Sequence, residues 1–204
     1  MKLLEHDNYI HWHRLKDEDV VRDIFWTHPD AVKLSNICHL VFVIDSTYTK
    51  NRYKLPLLDI VGVTYSGMTF SAAFAYLEGE HINNVAWTLE WFRGIFMRHD
   101  AIPQVIITNR DSTLMNVVKI VFPEATNLLC RFHIDKNVNA KCKTLVVFVD
   151  YVKQTWLIPH RQRFVKAWTN KVMHLGNTTT NRVENAHWAL KRLLQNSLGD
   201  LCSV

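Results

Sequence analysis

The chain has 204 residues, 48% apolar and 21% charged, with six Gly and five Pro, which excludes disordered, collagenous and low-complexity classes and leaves a folded globular chain. Its 24 Lys and Arg against 19 Asp and Glu give a net charge of +5, a mild basic excess compatible with nucleic acid but short of a polybasic protein. Four cysteines, Cys38, Cys130, Cys142 and Cys202, with no charged leader ahead of an apolar segment, point to a reducing compartment without a disulfide framework, and runs such as Leu40 to Ile44 are far short of the roughly 20 residues a bilayer helix needs, so no membrane role is expected.

Residues 1–35 mix charge, His and aromatics (His6, Trp12, His13, Trp26) with no sustained helical stripe and read as a lead-in to a compact unit over 36–204. Three short apolar runs follow, His39 to Ile44, Leu55 to Tyr65 and Thr69 to Leu77; they predict three strands, the last two joined as a hairpin through Tyr65-Ser66-Gly67. Val85, Leu89, Phe92, Ile95 and Phe96 recur at helical spacing behind Asn83 and Asn84, which are expected as caps. A buried strand over Gln104 to Thr108 then leads through Asn109, Arg110 and Asp111 into a helix carrying Leu114, Met115, Val118 and Val121, stopped by Pro123. Asn127 to Cys130 predicts a fifth strand, His133 to Lys143 a short helix, and Arg182 to Leu194 a late helix with Val183, Ala186, His187, Leu190 and Leu194 on one face. The order is βββαβαβα, an α/β fold.

Three acidic positions fall where chemistry could gather. Asp45 directly follows the apolar strand Leu40 to Ile44, and a carboxylate at a buried strand exit is costly to desolvate unless it meets a cation such as Mg²⁺ or Mn²⁺, or turns back onto local backbone amides. Asp111 lies two residues past the strand ending at Thr108, where it is either an acidic ligand or the N-cap of the next helix. Glu184 sits in the first turn of the late helix, a position that the helix dipole favours for any acid.

An Asp after the first core strand, an acidic position after the fourth and a Glu on a late helix resemble the ribonuclease-H-like fold of Asp-Asp-Glu transposases. More narrowly, the run from Asp45 through Thr47, Tyr48, Asn51, Tyr53 and Pro56 to Leu58 is similar to the first catalytic block of Mutator-like element (MULE) transposases. Val105 to Pro123 resembles their second block, Leu129 to Asn137 their Cys-x-x-His signature at Cys130 and His133, and Thr179 to Lys191 the block holding their Glu. The resemblance spans roughly residues 20–200 and is shared with domesticated plant regulators of the far-red-response type.

The resemblance implies a ribonuclease-H-like mixed five-stranded sheet with helices on both faces. It implies a catalytic set of Asp45, Asp111 and Glu184, metal ligands Asp45, Asn109 and Glu184, and DNA cleavage and strand transfer by two-metal chemistry with Mg²⁺ or Mn²⁺. It further implies transposon-end DNA as partner, a nuclear location, and leaves self-association open. Two departures stand out. Asn109 occupies the position of the family's second Asp, so a site built on Asp45 and Glu184 lacks one formal charge and activity is expected to be weak or absent, with a non-catalytic DNA-associated regulator or a decayed transposon fragment as the alternative. The family's helical insertion is shortened here, to about residues 144–175. Cys130 and His133 supply two zinc ligands, with Cys142, His174 or His187 as others; zinc is not expected, and packing between strand and helix is the favoured role. Trp156, Phe164 and Trp168 are expected in packing rather than in base stacking.

Overall fold

The computed structural model describes residues 8–17, 20–47, 55–98, 100–141, 145–183 and 186. Its centre is β3 (Val41–Thr47), whose first five residues are all buried. β3 pairs antiparallel with β4 (Leu57–Val63) and parallel with β6 (Val105–Thr108); β4 continues to β5 (Thr69–Tyr76), and β6 to β7 (Thr126–Leu129). These five strands, in the order β5-β4-β3-β6-β7, are the expected mixed sheet. Two more extend it. β1 (Ile10–Asp17) and β2 (Val20–Thr27) form an antiparallel hairpin that docks on β5, giving a seven-stranded sheet in the order β1-β2-β5-β4-β3-β6-β7.

The hairpin corrects the five-strand expectation. Residues 1–35, expected as a lead-in, contain two strands and most of α1 (Pro29–Ile37). Its apolar alternation is masked by His11, His13 and Arg14 on an edge strand, and two register shifts, at Arg14/Leu15 and Leu15/Asp17, break the period. The hairpin is held by Asp23, 1% exposed. One of its carboxylate oxygens accepts from Arg14 Nη2 at 2.7 Å; the other accepts from the Glu78 N–H at 3.1 Å and from Asn84 Nδ2 at 2.7 Å.

Because side chains alternate across a strand, β3, β4 and β6 build two cores. On one face Phe42, Ile44, Leu58, Ile60 and Ile106 meet α1, α2 (Ile82–Gly94) and α3 (Ser112–Val121), with Phe92 edge-on to Phe42 at 5.1 Å between centroids. On the other face Val41, Val43, Val61, Val63, Val105, Ile107, Leu128 and Cys130 are closed off by Val183, with Val172, Leu175 and Ala186 at the margin. Both faces are therefore covered, as a central strand buried on two sides requires.

The cap of α2 differs from expectation. His81 holds the N-cap position without a side-chain bond, while Asn84 lies inside the helix and is spent on Asp23. After β7 come α4 (Arg131–Lys141) and α5 (Leu145–Val152); a π-helical turn (Lys153–Leu157), α6 (Ile158–Phe164) and α7 (Lys166–Thr169) complete the segment. Trp156 is fully buried there against Leu129 and Ile134, with Phe164 at the edge of that cluster, as expected for packing residues. Trp168, 37% exposed, stands apart from it beneath Arg161. Among the described residues no helix is long and apolar enough to cross a membrane.

Candidate functional site

The parallel pairing of β3 with β6 ends at Ile44 opposite Thr108, so Asp45, still inside β3 and paired with β4, and Asn109, just past the end of β6, are neighbours. Asp45 is 5% exposed. One of its oxygens accepts from the Ser46 N–H at 3.0 Å and from Asn109 Nδ2 at 3.2 Å.

The orientation of the Asn109 amide follows from its other contact. Its Oδ1 accepts from the Asp111 N–H at 3.2 Å, and since a backbone N–H can only donate, the amide oxygen must face Asp111 and the amide nitrogen must face Asp45. Asp111 is turned away in its own right, because it N-caps α3 by accepting from the Leu114 N–H at 2.7 Å. The N-cap alternative for Asp111 thus describes its geometry. Glu184 lies outside the described residues.

A carboxylate that the sequence reading passed over is Asp59. It pairs directly with Asp45 across β3 and β4 and is fully buried. Burial first, and the neighbouring Asp45 charge second, push its carboxyl well above the ordinary carboxylate range, although a backbone hydrogen bond at Ile60 pulls the other way. The signal was present in sequence: Asp59 is the one charged residue in Leu57–Val63.

An amide N–H has no lone pair to offer a cation, and the Asn109 oxygen is engaged by Asp111. Asp59 is held toward its neutral form. Asp45 and Asn109, the described part of the set, are hydrogen-bonded to each other, and among the described residues no group of three or more His, Cys, Asp or Glu side chains could hold a metal.

Cys130 and His133 are joined through the segment leading into the late helix. The Thr180 N–H donates to Cys130 Sγ at 3.1 Å, the Thr180 hydroxyl lies 3.3 Å from both that sulfur and His133 Nδ1, and the Arg131 N–H donates to the Thr178 carbonyl at 2.8 Å. Burial would raise the Cys130 thiol, but hydrogen bonds from the His133 and Thr180 side chains and backbone outweigh it, leaving the thiol below its usual value. These bonds tie the start of α4 to the segment that leads into the late helix. Cys142 and His187 lie outside the described residues.

Beside the strand ends, a cavity of about 490 Å³ opens between α3 and the π-helical segment, with Arg110, Ser112, Asn116, Trp156 and His160 in its wall. Asp111, one of the acidic positions of the sequence, also lines it.

Residues 41–137 match the MULE transposase domain. In Arabidopsis thaliana the chain is 27% identical to Protein FAR1-RELATED SEQUENCE 6 over 139 residues, 68% of this chain and 19% of that protein, and 25% identical to Protein FAR1-RELATED SEQUENCE 5 over 137 residues, 67% and 17%. It is also 27% identical to Protein FAR-RED IMPAIRED RESPONSE 1 over 123 residues, 59% of this chain and 14% of that protein. The chain thus spans less than a fifth of the length of these relatives.

Proposed function

We propose, starting from a segment, residues 41–137, that matches the MULE transposase domain, that this chain is a transposase-derived domain that associates with DNA in the nucleus and has lost metal-dependent strand cleavage. One observation carries the reading: the residue at the second acidic position is an amide whose nitrogen is hydrogen-bonded to Asp45. A two-metal mechanism needs carboxylates that bridge and neutralise hard cations, and Mg²⁺, which dehydrates reluctantly, is held chiefly by such charges. The +5 net charge supports DNA as the partner. A weakened but active transposase is the second reading, favoured by Asp45 itself, a carboxylate kept at the strand exit.

Calorimetry with Mn²⁺ and a supercoiled-plasmid nicking assay test this together. The wild type is expected to bind Mn²⁺ weakly and leave the plasmid intact. Asn109→Asp is expected to tighten Mn²⁺ binding by about tenfold or more, since it restores a charge. Mn²⁺-dependent nicking by the wild type that Asp45→Asn abolishes would overturn the reading in favour of the active enzyme. Loss of Mn²⁺ binding in Asp111→Ala, with no gain in Asn109→Asp, would instead make Asp111 the second ligand.

A further inference from the structure

Arg110 directly follows Asn109 in the loop between β6 and α3, so whatever it holds lies next to the paired strand ends. Its guanidinium lies 4.7 Å from the Trp156 ring centroid, a stacking that fixes its plane and leaves the N–H edge for a ligand. Among the described residues Arg110 has no hydrogen bond or ion pair. This contrasts with Arg14, Arg93, Arg98, Arg163 and Arg182, each bound to a carboxylate, a carbonyl or an amide oxygen.

A further donor shares the cavity wall. His160 meets the Trp156 ring edge-on at 6.4 Å between centroids and, like Arg110, has no hydrogen-bonding partner among the described residues. Burial, and then the charges of Arg110 and Arg163, hold its pKa below the usual value, which marks a locally positive environment. Trp156 contributes its ring to the wall, while its Nε1–H is buried away from solvent. The one carboxylate in the wall, Asp111, caps α3 through one of its oxygens. The cavity's volume of about 490 Å³ lies in the range of ligand sites.

We propose that this cavity, walled by Arg110, Trp156 and His160, seats a backbone phosphate of a DNA strand. The inference rests on the DNA-associated reading above and deepens it by naming where the strand is held. An acceptor-only, charged group is the complement of these donors, and a phosphodiester presents oxygens to donors that come from different elements: Arg110 in the loop after β6 and His160 in α6.

Fluorescence anisotropy with a short duplex of arbitrary sequence, repeated across a salt series, tests the proposal on the full chain. Arg110→Gln and His160→Gln are each expected to weaken binding, Arg110→Gln by about tenfold. Arg110→Gln should also lower the slope of log Kd against log salt by about 0.9, the share of one phosphate contact, whereas Lys119→Gln at the far end of α3 should change neither. Wild-type binding that both cavity variants leave unchanged, in affinity and in slope, overturns the phosphate seat while the DNA reading stands. So does an equal loss in Lys119→Gln, which would mean diffuse attraction. No DNA binding by the wild type overturns both; inorganic phosphate then decides what the cavity is, since a shift of the His160 ring proton resonances that Arg110→Gln removes would leave a free-anion site only.

Discussion

Asp45 and Asp59 face one another in a space that water does not reach, and their proximity makes the stability of the chain depend on pH. Asp59 is raised by burial and by the Asp45 charge, so it holds its proton to higher pH when folded than when unfolded. A raised acid contributes stability that is complete below its unfolded value, near pH 4, and is lost as pH rises through the folded value. Asp59→Asn keeps the size and removes the titration; thermal unfolding should then vary less with pH above about 4 than in the wild type, and identical pH profiles for the two proteins would contradict this. Single residues were also where sequence reasoning was least complete. Asp45 was found because it ends an apolar run. Asp59 was missed because it interrupts one, and strand pairing alone brings it opposite Asp45. Arg110 and Trp156 are 46 positions apart, and no spacing rule links them.

Elements are held in place by close fits. Gly62 is paired with Phe70 across β4 and β5, and a Cβ at Gly62 would stand 2.2 Å from the Phe70 Cζ. Gly62→Ala must displace a ring that is packed against the core, at a cost of about 1–3 kcal/mol; Phe70→Leu in the same chain should recover part of it, measurable by urea denaturation. The segment entering the late helix has a different tie, the Thr180 N–H on Cys130 Sγ. Cys130→Ala strands that buried donor and should cost about 1–3 kcal/mol, with faster hydrogen exchange at the Thr180 amide, and Cys130→Ser should be milder because an acceptor remains. The apolar runs of β3 to β7 and the helical stripes of α2 and α3 were legible because two buried faces demand continuous hydrophobic stretches. β1 was not, since its edge position lets polar side chains take most of the strand.

Across the whole molecule, the β1–β2 hairpin joins the sheet through the β2–β5 ladder, and Asp23 adds a tie from it to Asn84 of α2 and to the backbone after β5. Removing that carboxylate leaves Arg14 and Asn84 without their acceptor, and Asp23→Ala should destabilise the chain by on the order of 3 kcal/mol. Hydrogen exchange should show β1 and β2 opening ahead of β3; uniform acceleration throughout would mean that the hairpin is not a separable unit. The second face of the sheet has a consequence for how the chain is made. Its strands are complete once Leu129 has been synthesised, yet Val183, which closes the valine-rich face, arrives roughly fifty residues later, about three to ten seconds at ribosomal rates of about 5–20 residues per second. During that interval Val41, Val43, Val61, Val63, Val105 and Ile107 form an open apolar surface on the nascent chain, a target for chaperones and for other nascent copies, so slowing translation between residues 130 and 183 should lower the soluble yield.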